Sequence, residues 1–95
     1  MALSYALSAK DSEMENSTDL RVSYTCTITD ELGAELASET VTGLANASSP
    51  LAQTSIAEQI GTAINQLLDR TELWRAKDAE ITDGLIDLIA AQLGG

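Results

Sequence analysis

The chain has no histidine and no phenylalanine, and only one cysteine, one proline and one tryptophan among its 95 residues. Without histidine, a serine or cysteine nucleophile lacks its usual general base, and zinc lacks its commonest nitrogen ligand. No glycine-rich phosphate loop is present, and no pair of carboxylates stands in a recognisable apolar cleft. We therefore expect no catalytic, cofactor-binding or metal-binding residues, and we predict that the protein is not an enzyme.

The lone cysteine, Cys26, excludes an internal disulfide. It lies within a run of alternating apolar residues, so we expect a small buried thiol rather than a link between chains. The acidic segment from Asp11 to Asp19 invites a calcium hypothesis, because alternate oxygen ligands are typical of calcium loops. It has neither a central glycine nor a closing glutamate, and we predict a solvated loop instead.

Basic residues are also scarce, with five against fifteen acidic residues and a net charge of −10. A surface that binds nucleic acid must neutralise phosphates, so the composition excludes direct binding of DNA or RNA. No apolar run reaches the 18 residues that a membrane-spanning helix needs, so no membrane association is expected. The start of the chain lacks a basic region followed by an apolar run, which argues against a signal peptide.

The first half of the chain alternates apolar and polar residues, the period of a β-strand. Strands are predicted at about 2–10, 20–29 and 35–44, and the first two are separated by a polar loop of about ten residues. In the second strand one face carries all the large residues, which are Leu20, Val22, Tyr24, Cys26 and Ile28. Consecutive strands of this kind form an antiparallel meander, which we assign to residues 1–48.

The second and third strands are joined by a segment whose residues suit a type I turn with a glycine bulge. Asp30 occupies its first position and Gly33 its fourth. The resulting register pairs Leu36 with Ile28, Thr40 with Tyr24, and Leu44 with Leu20. A slip of one residue would set Glu39 against Tyr24, which burial would penalise.

From residue 49 to residue 95 the apolar spacing is helical, and the two regions together predict a single α+β domain. Ser49 followed by Pro50 suits a helix start, and Ser55 with Glu58 offers a later one. Large apolar residues recur at every seventh position, and the other seam of the heptad is interrupted, a spacing compatible with a coiled coil. The predicted oligomer interface is Ile60, Ile64, Leu67, Trp74, Ile81, Leu85 and Leu88.

Two helical structures fit this pattern. In one, a helix from residue 55 to about 92 extends about 57 Å and its far half needs partner helices, because a small sheet cannot cover it. In the other, the helix ends near Asp69 or Lys77 and a second helix at about 79–92 packs back as a lid. Gly84 weakens the helix without having to stop it.

Three segments resemble small virion proteins of tailed bacteriophages. They are "MALSYALS", "LRVSYTCTITDELGAEL" and "SPLAQTSIAEQIGTAINQLL", and the resemblance extends over residues 1–68. It implies a non-enzymatic component of the tail, baseplate or fibre attachment, present in several symmetric copies within the virion.

The expected partners are therefore proteins. The helical region would join copies as a dimer or trimer, and the sheet would dock on a larger virion protein, for example by adding strands at an open edge. The alternative function is an acidic adaptor or inhibitor that binds a basic protein surface.

Overall fold

In a computed structural model, residues 3–94 form a three-stranded antiparallel sheet followed by two helices, which confirms the predicted α+β class. The elements are β1 (Ser4–Met14), β2 (Asp19–Thr29), β3 (Glu35–Asn46), α1 (Ala52–Thr82) and α2 (Leu85–Leu93). The strand order is β1-β2-β3, the predicted meander. The predicted start of the first strand at residue 2, and the ends of the chain at residues 1 and 95, lie outside the described residues.

The first hairpin is longer than the sequence suggested. β1 continues to Met14 through most of the segment predicted as a loop, and only residues 15–18 form the turn. The Asn16 side-chain oxygen closes this turn by accepting hydrogen bonds from the backbone N–H groups of Thr18 and Asp19, both at 2.9 Å. The prediction of a ten-residue loop was wrong because residues 11–14, although mostly polar, continue the backbone pairing with β2.

A bulge interrupts β1 in the middle. The pairing of Ser8 with Thr25 is followed by that of Asp11 with Ser23, so two residues of β1, Ala9 and Lys10, stand against one of β2. Ala9 has a φ of 52°, a left-handed conformation that is uncommon for a residue with a Cβ. The bulge reverses the alternation along β1.

The second hairpin has the predicted turn but not the predicted register. Gly33 has a φ of 85°, and the Asp30 carboxylate accepts a hydrogen bond from Ala34 N–H at 2.9 Å. The register then shifts at a bulge containing Leu36, and the observed pairs are Ile28 with Ala37, Tyr24 with Val41, and Leu20 with Ala45. The predicted pairs were wrong because they did not allow for this extra residue.

Helix α1 packs mainly on β3 and only slightly on β2. Helix α1 and strand β3 touch at Gly43, where an added Cβ would lie 2.8 Å from both the backbone oxygen and Cγ2 of Ile56. Beside this contact, the Gln59 amide accepts a hydrogen bond from Leu44 N–H at 3.0 Å and donates one to Leu44 C=O at 2.7 Å. The core beneath the helix consists of Cys26, Ile28, Val41, Ile60, Ile64 and Leu67.

The long helix passes without a break through Asp69 and Lys77, so both breaks proposed there are wrong. It begins at Ala52, after a turn in which Ser49 Oγ accepts a hydrogen bond from Leu51 N–H at 3.1 Å, and the later start at Ser55 is also wrong.

The break that does occur lies at residues 83–84. Asp83 is extended, with a ψ of 122°, and Gly84 has a φ of 75°, so α2 starts in a new direction and does not form a lid. Glycine adopts this left-handed conformation at little cost, which explains why the helix stops here and not at an earlier residue.

Replacement of Gly43 by alanine should destabilise the fold. The new methyl group meets a backbone oxygen, which cannot move without shifting α1, so we expect a loss of about 1–3 kcal/mol in the free energy of unfolding. Urea unfolding followed by circular dichroism measures it. Thr40→Ala, on the exposed face of the same strand, is the control and should change stability by less than about 0.5 kcal/mol. Equal losses for both variants would contradict the close packing at Gly43.

Candidate interface: an exposed helical arm and an open apolar groove

The C-terminal half of the helical region extends beyond the sheet. Arg75 is the last residue of α1 with a recorded ion pair to the sheet region, at 3.0 Å to Glu31 in the β2–β3 turn. We call residues 73–93 the helical arm. The described chain is elongated, with dimensions of 63 × 32 × 18 Å. Helix α1 alone extends about 46 Å of the longest dimension.

The predicted interface residues divide into two groups. Ile60, Ile64 and Leu67 are buried in the core of their own chain, at 7%, 7% and 2% exposure. Trp74, Ile81 and Leu88 belong to the helical arm and are 50–63% exposed, and Leu85 is half-buried. The first half of the heptad therefore packs on the chain's own sheet, and most of the second half is exposed to solvent.

Further large apolar side chains on the arm are exposed as well. They are Leu73, Ile86, Ile89 and Leu93. No residue of α2 is buried, although only Asp87 and Gln92 among its nine residues are polar. The heptad alone did not select these positions, but the high apolar content of residues 81–93 is the signal that identifies them. A helix of this composition normally packs against another element.

Ion pairs fix the base of the arm to the sheet. Arg70 binds both carboxylate oxygens of Glu39, at 3.1 and 3.0 Å, and these hydrogen bonds raise the pKa of Arg70. Arg75 binds Glu31 and approaches Glu72 at 3.8 Å. Because the observed register puts Glu39 on the helix-facing side of β3, opposite Cys26, the pair with Arg70 also supplies that carboxylate with a counter-charge.

Beside α1, the inner face of the sheet remains open. Every residue of β1 is exposed, and β2 contributes only part of its inner face to the core. The result is an apolar groove of about 750 Å³ between this part of the sheet and the N-terminal half of α1. Its walls include Leu7, Val22, Tyr24, Ile56, Ala57 and Gly61. The sequence identified the apolar face of β2 but not that α1 covers only half of it.

The acidic residues of segment 11–19 do not form a metal-binding loop. Asp11 and Glu13 lie on β1, and Arg21 forms ion pairs with Glu13 and with Glu15, the latter at 3.1 Å. Within residues 3–94, no three side chains of the ligating types stand together as a metal site. Over the same residues, neither helix has the length and apolar character needed to cross a lipid bilayer.

Comparisons with protein-family models, curated protein sequences and solved structures give no match for this chain. The geometry of the arm and the groove is therefore the basis for a functional proposal.

Cys26 should react with thiol reagents only when the protein unfolds. The side chain is fully buried, as predicted, and burial together with the nearby Glu39 carboxylate raises the pKa of its thiol. Because the thiolate is the reactive form, both effects slow modification at neutral pH. Colorimetric thiol labelling with and without denaturant checks this expectation. A Ser17→Cys variant, in the exposed first turn, should label rapidly at the new position, and equally rapid labelling of native Cys26 would contradict its burial.

Proposed function

We propose that this protein is a non-enzymatic assembly component that associates with copies of itself through the helical arm. The observation that carries the proposal is the arm itself, in which seven large apolar side chains are 48–84% exposed within the described residues. Monomeric proteins rarely expose many large apolar side chains close together, and such surfaces usually mark protein interfaces.

The marginal core supports the same proposal. Six apolar residues form the buried cluster among the described residues, and of its large side chains only Ile28 has no exposed surface. Burial of one such aliphatic side chain contributes about 1.5–3 kcal/mol, so a small core leaves a narrow margin over the entropy of the chain. Association through the arm adds buried apolar area that the single chain lacks.

We further propose that the assembly belongs to a tailed-phage virion, in the tail, baseplate or fibre attachment. The support is the pattern of alternating strands and helix start over residues 1–68, together with a shape suited to repeated contacts. Symmetric self-association of one small chain is the common way to build such assemblies. The outer face of the sheet, rich in serine and threonine, remains available for a larger virion protein.

The net charge of −10 supports a second function, an acidic adaptor for a basic protein surface. The two functions differ in their response to salt. Apolar contacts through the arm should change little between low and high ionic strength, whereas binding that depends on charge should weaken strongly.

Trp74→Ala should lower the average mass measured in solution, because fewer chains should be associated. Trp74 is 50% exposed at the base of the arm, and loss of a large aromatic side chain from an interface commonly costs more than about 2 kcal/mol of association. Light scattering over a concentration series measures this effect.

Leu32→Ala is the matched control, because Leu32 is 90% exposed in the β2–β3 turn, outside the arm. It should leave the mass unchanged. A native protein that remains monomeric at micromolar concentration, with full helix content, would contradict self-association.

A further inference from the structure

We infer that the apolar groove beside α1 is the docking site for an amphipathic helix of a different protein, one that carries a carboxylate on the flank facing Lys10. The groove shares no residue with the helical arm, so this docking is separate from the proposed self-association. Three features of the molecule support it: the width of the uncovered sheet, a glycine in α1 that the chain's own packing does not require, and the charge of Lys10.

The uncovered part of the sheet has the width of one helix. Helix α1 packs mainly on β3, and every residue of β1 is exposed. β1 lies two strands away from β3, or about 9.6 Å at a strand spacing of about 4.8 Å. Because packed helices are about 8–10 Å apart, a second helix in contact with α1 would lie over β1. The groove follows α1 from Ala52 to Ile64, about 18 Å, which accommodates about twelve residues of such a helix.

Gly61 lies in the groove wall formed by α1, and the packing of the chain itself does not require a glycine there. Glycine is less favourable than alanine inside a helix. Among the described residues, nothing lies within 4 Å of a Cβ added at Gly61, whereas at Gly43 Ile56 excludes a side chain. Ala57, one turn earlier on the same wall, is small as well. Two small residues one turn apart allow the backbone of a second helix to approach α1 closely.

The bulge at Ala9 determines which charge faces the groove. Without it, the alternation that places Leu7 on the inner face of β1 would place Asp11 there too. The extra residue reverses the alternation, so Asp11 moves to the outer face and Lys10 lines the groove. Ala9 has a φ of 52°, a conformation that is unfavourable for a residue with a Cβ. Backbone strain of this kind is typical of functional sites, and here its result is a base in the groove in place of an acid.

Within residues 3–94, Lys10 is the one basic residue that forms no ion pair. A glutamate pairs with each of the other four, which are Arg21, Arg70, Arg75 and Lys77. Of the residues that line the groove, Lys10 alone is charged. In a chain with a net charge of −10, an unpaired base beside apolar side chains favours an occupant with a carboxylate at this position.

The chain's own helices do not fill the groove. α1 forms one of its walls, and α2 begins at Leu85, 21 residues beyond Ile64 or about 32 Å along a helix. The nine residues of α2 extend only about 13 Å, so α2 does not reach back to the groove of its own chain. Self-association is assigned to the arm, which lies outside the groove. We therefore assign the groove to a helix of another protein, with an apolar face and a flanking aspartate or glutamate.

Two synthetic helical peptides of about 14 residues, long enough to fill the groove, test the charge. Both have leucine on the apolar face and glutamine on the opposite face. At one central flanking position the first peptide has glutamate and the second has lysine. We expect the glutamate peptide to bind the native protein about tenfold more tightly at low salt, because only this peptide complements Lys10. Fluorescence anisotropy of the labelled peptides measures both affinities.

In Lys10→Glu the order of the two peptides should reverse. Lys77→Glu makes the same change of charge on the helical arm and is the matched control. It should leave the ratio of the two affinities within about threefold of that of the native protein. Equal affinities of the two peptides for the native protein would overturn the inference. So would a ratio that Lys77→Glu changes as much as Lys10→Glu does.

Gly61→Leu tests the place of binding, because its side chain would fill the groove from the α1 wall. The open space at Gly61 should preserve the helix content, whereas the glutamate peptide should bind more than about 20-fold more weakly. Thr62→Leu, at an exposed neighbouring position outside the groove, is the control and should change the affinity less than about twofold. Undiminished binding to Gly61→Leu, or no binding of either peptide to the native protein at millimolar concentration, would overturn the inference.

Light scattering of Gly61→Leu distinguishes a different protein from a second copy as the occupant. We expect the average mass to equal that of the native protein, because the arm is unchanged. A lower mass would show that copies of this chain occupy the groove, which would overturn the inference and leave self-association intact. A native protein that is monomeric contradicts the proposed self-association, and the peptide affinities still decide the inference.

Discussion

The close approach of α1 to β3 at Gly43 is the constraint on which the rest of the structure depends. Because no side chain separates the two backbones there, Ile56 sits directly against the strand, and Gln59 can hydrogen-bond both backbone groups of Leu44. These contacts fix the helix at one side of the sheet rather than over its middle. The uncovered inner face of β1 follows directly from this offset, and so does the groove beside α1.

The second consequence concerns length. A helix that starts beside Gly43 reaches the β2–β3 turn at Arg75, where the ion pair with Glu31 marks the end of its contact with the sheet. Beyond this point the chain continues into solvent, and its large apolar side chains other than Leu85 are exposed. The open groove and the exposed arm thus have one cause, a helix that is too far to one side and too long for its own sheet.

The sequence predicted the order of elements and the inward residues of β2 correctly, because period-two alternation depends only on local burial. It did not predict the β2–β3 register, since the bulge at Leu36 has no glycine, proline or other turn-forming residue of its own to mark it. The same register places Glu39 on the helix-facing side, where it stays exposed and forms an ion pair with Arg70. Seven-residue spacing selected one set of helix positions but could not divide it into a part buried against the sheet and a part exposed to solvent. The sequence pattern does not distinguish the buried Ile60 and Leu67 from the exposed Ile81 and Leu88, because the difference depends on the length of the sheet.

The bulge at Ala9 affects how readily the β1 edge of the sheet can pair with an additional strand. Sheet edges with free backbone groups are templates for open-ended strand addition, which leads to aggregates rather than closed assemblies. On β1 the left-handed Ala9 interrupts the hydrogen-bonding ladder, and on β3 the Gln59 side chain occupies the backbone groups of Leu44. Each edge therefore presents an interrupted set of free backbone groups for strand pairing.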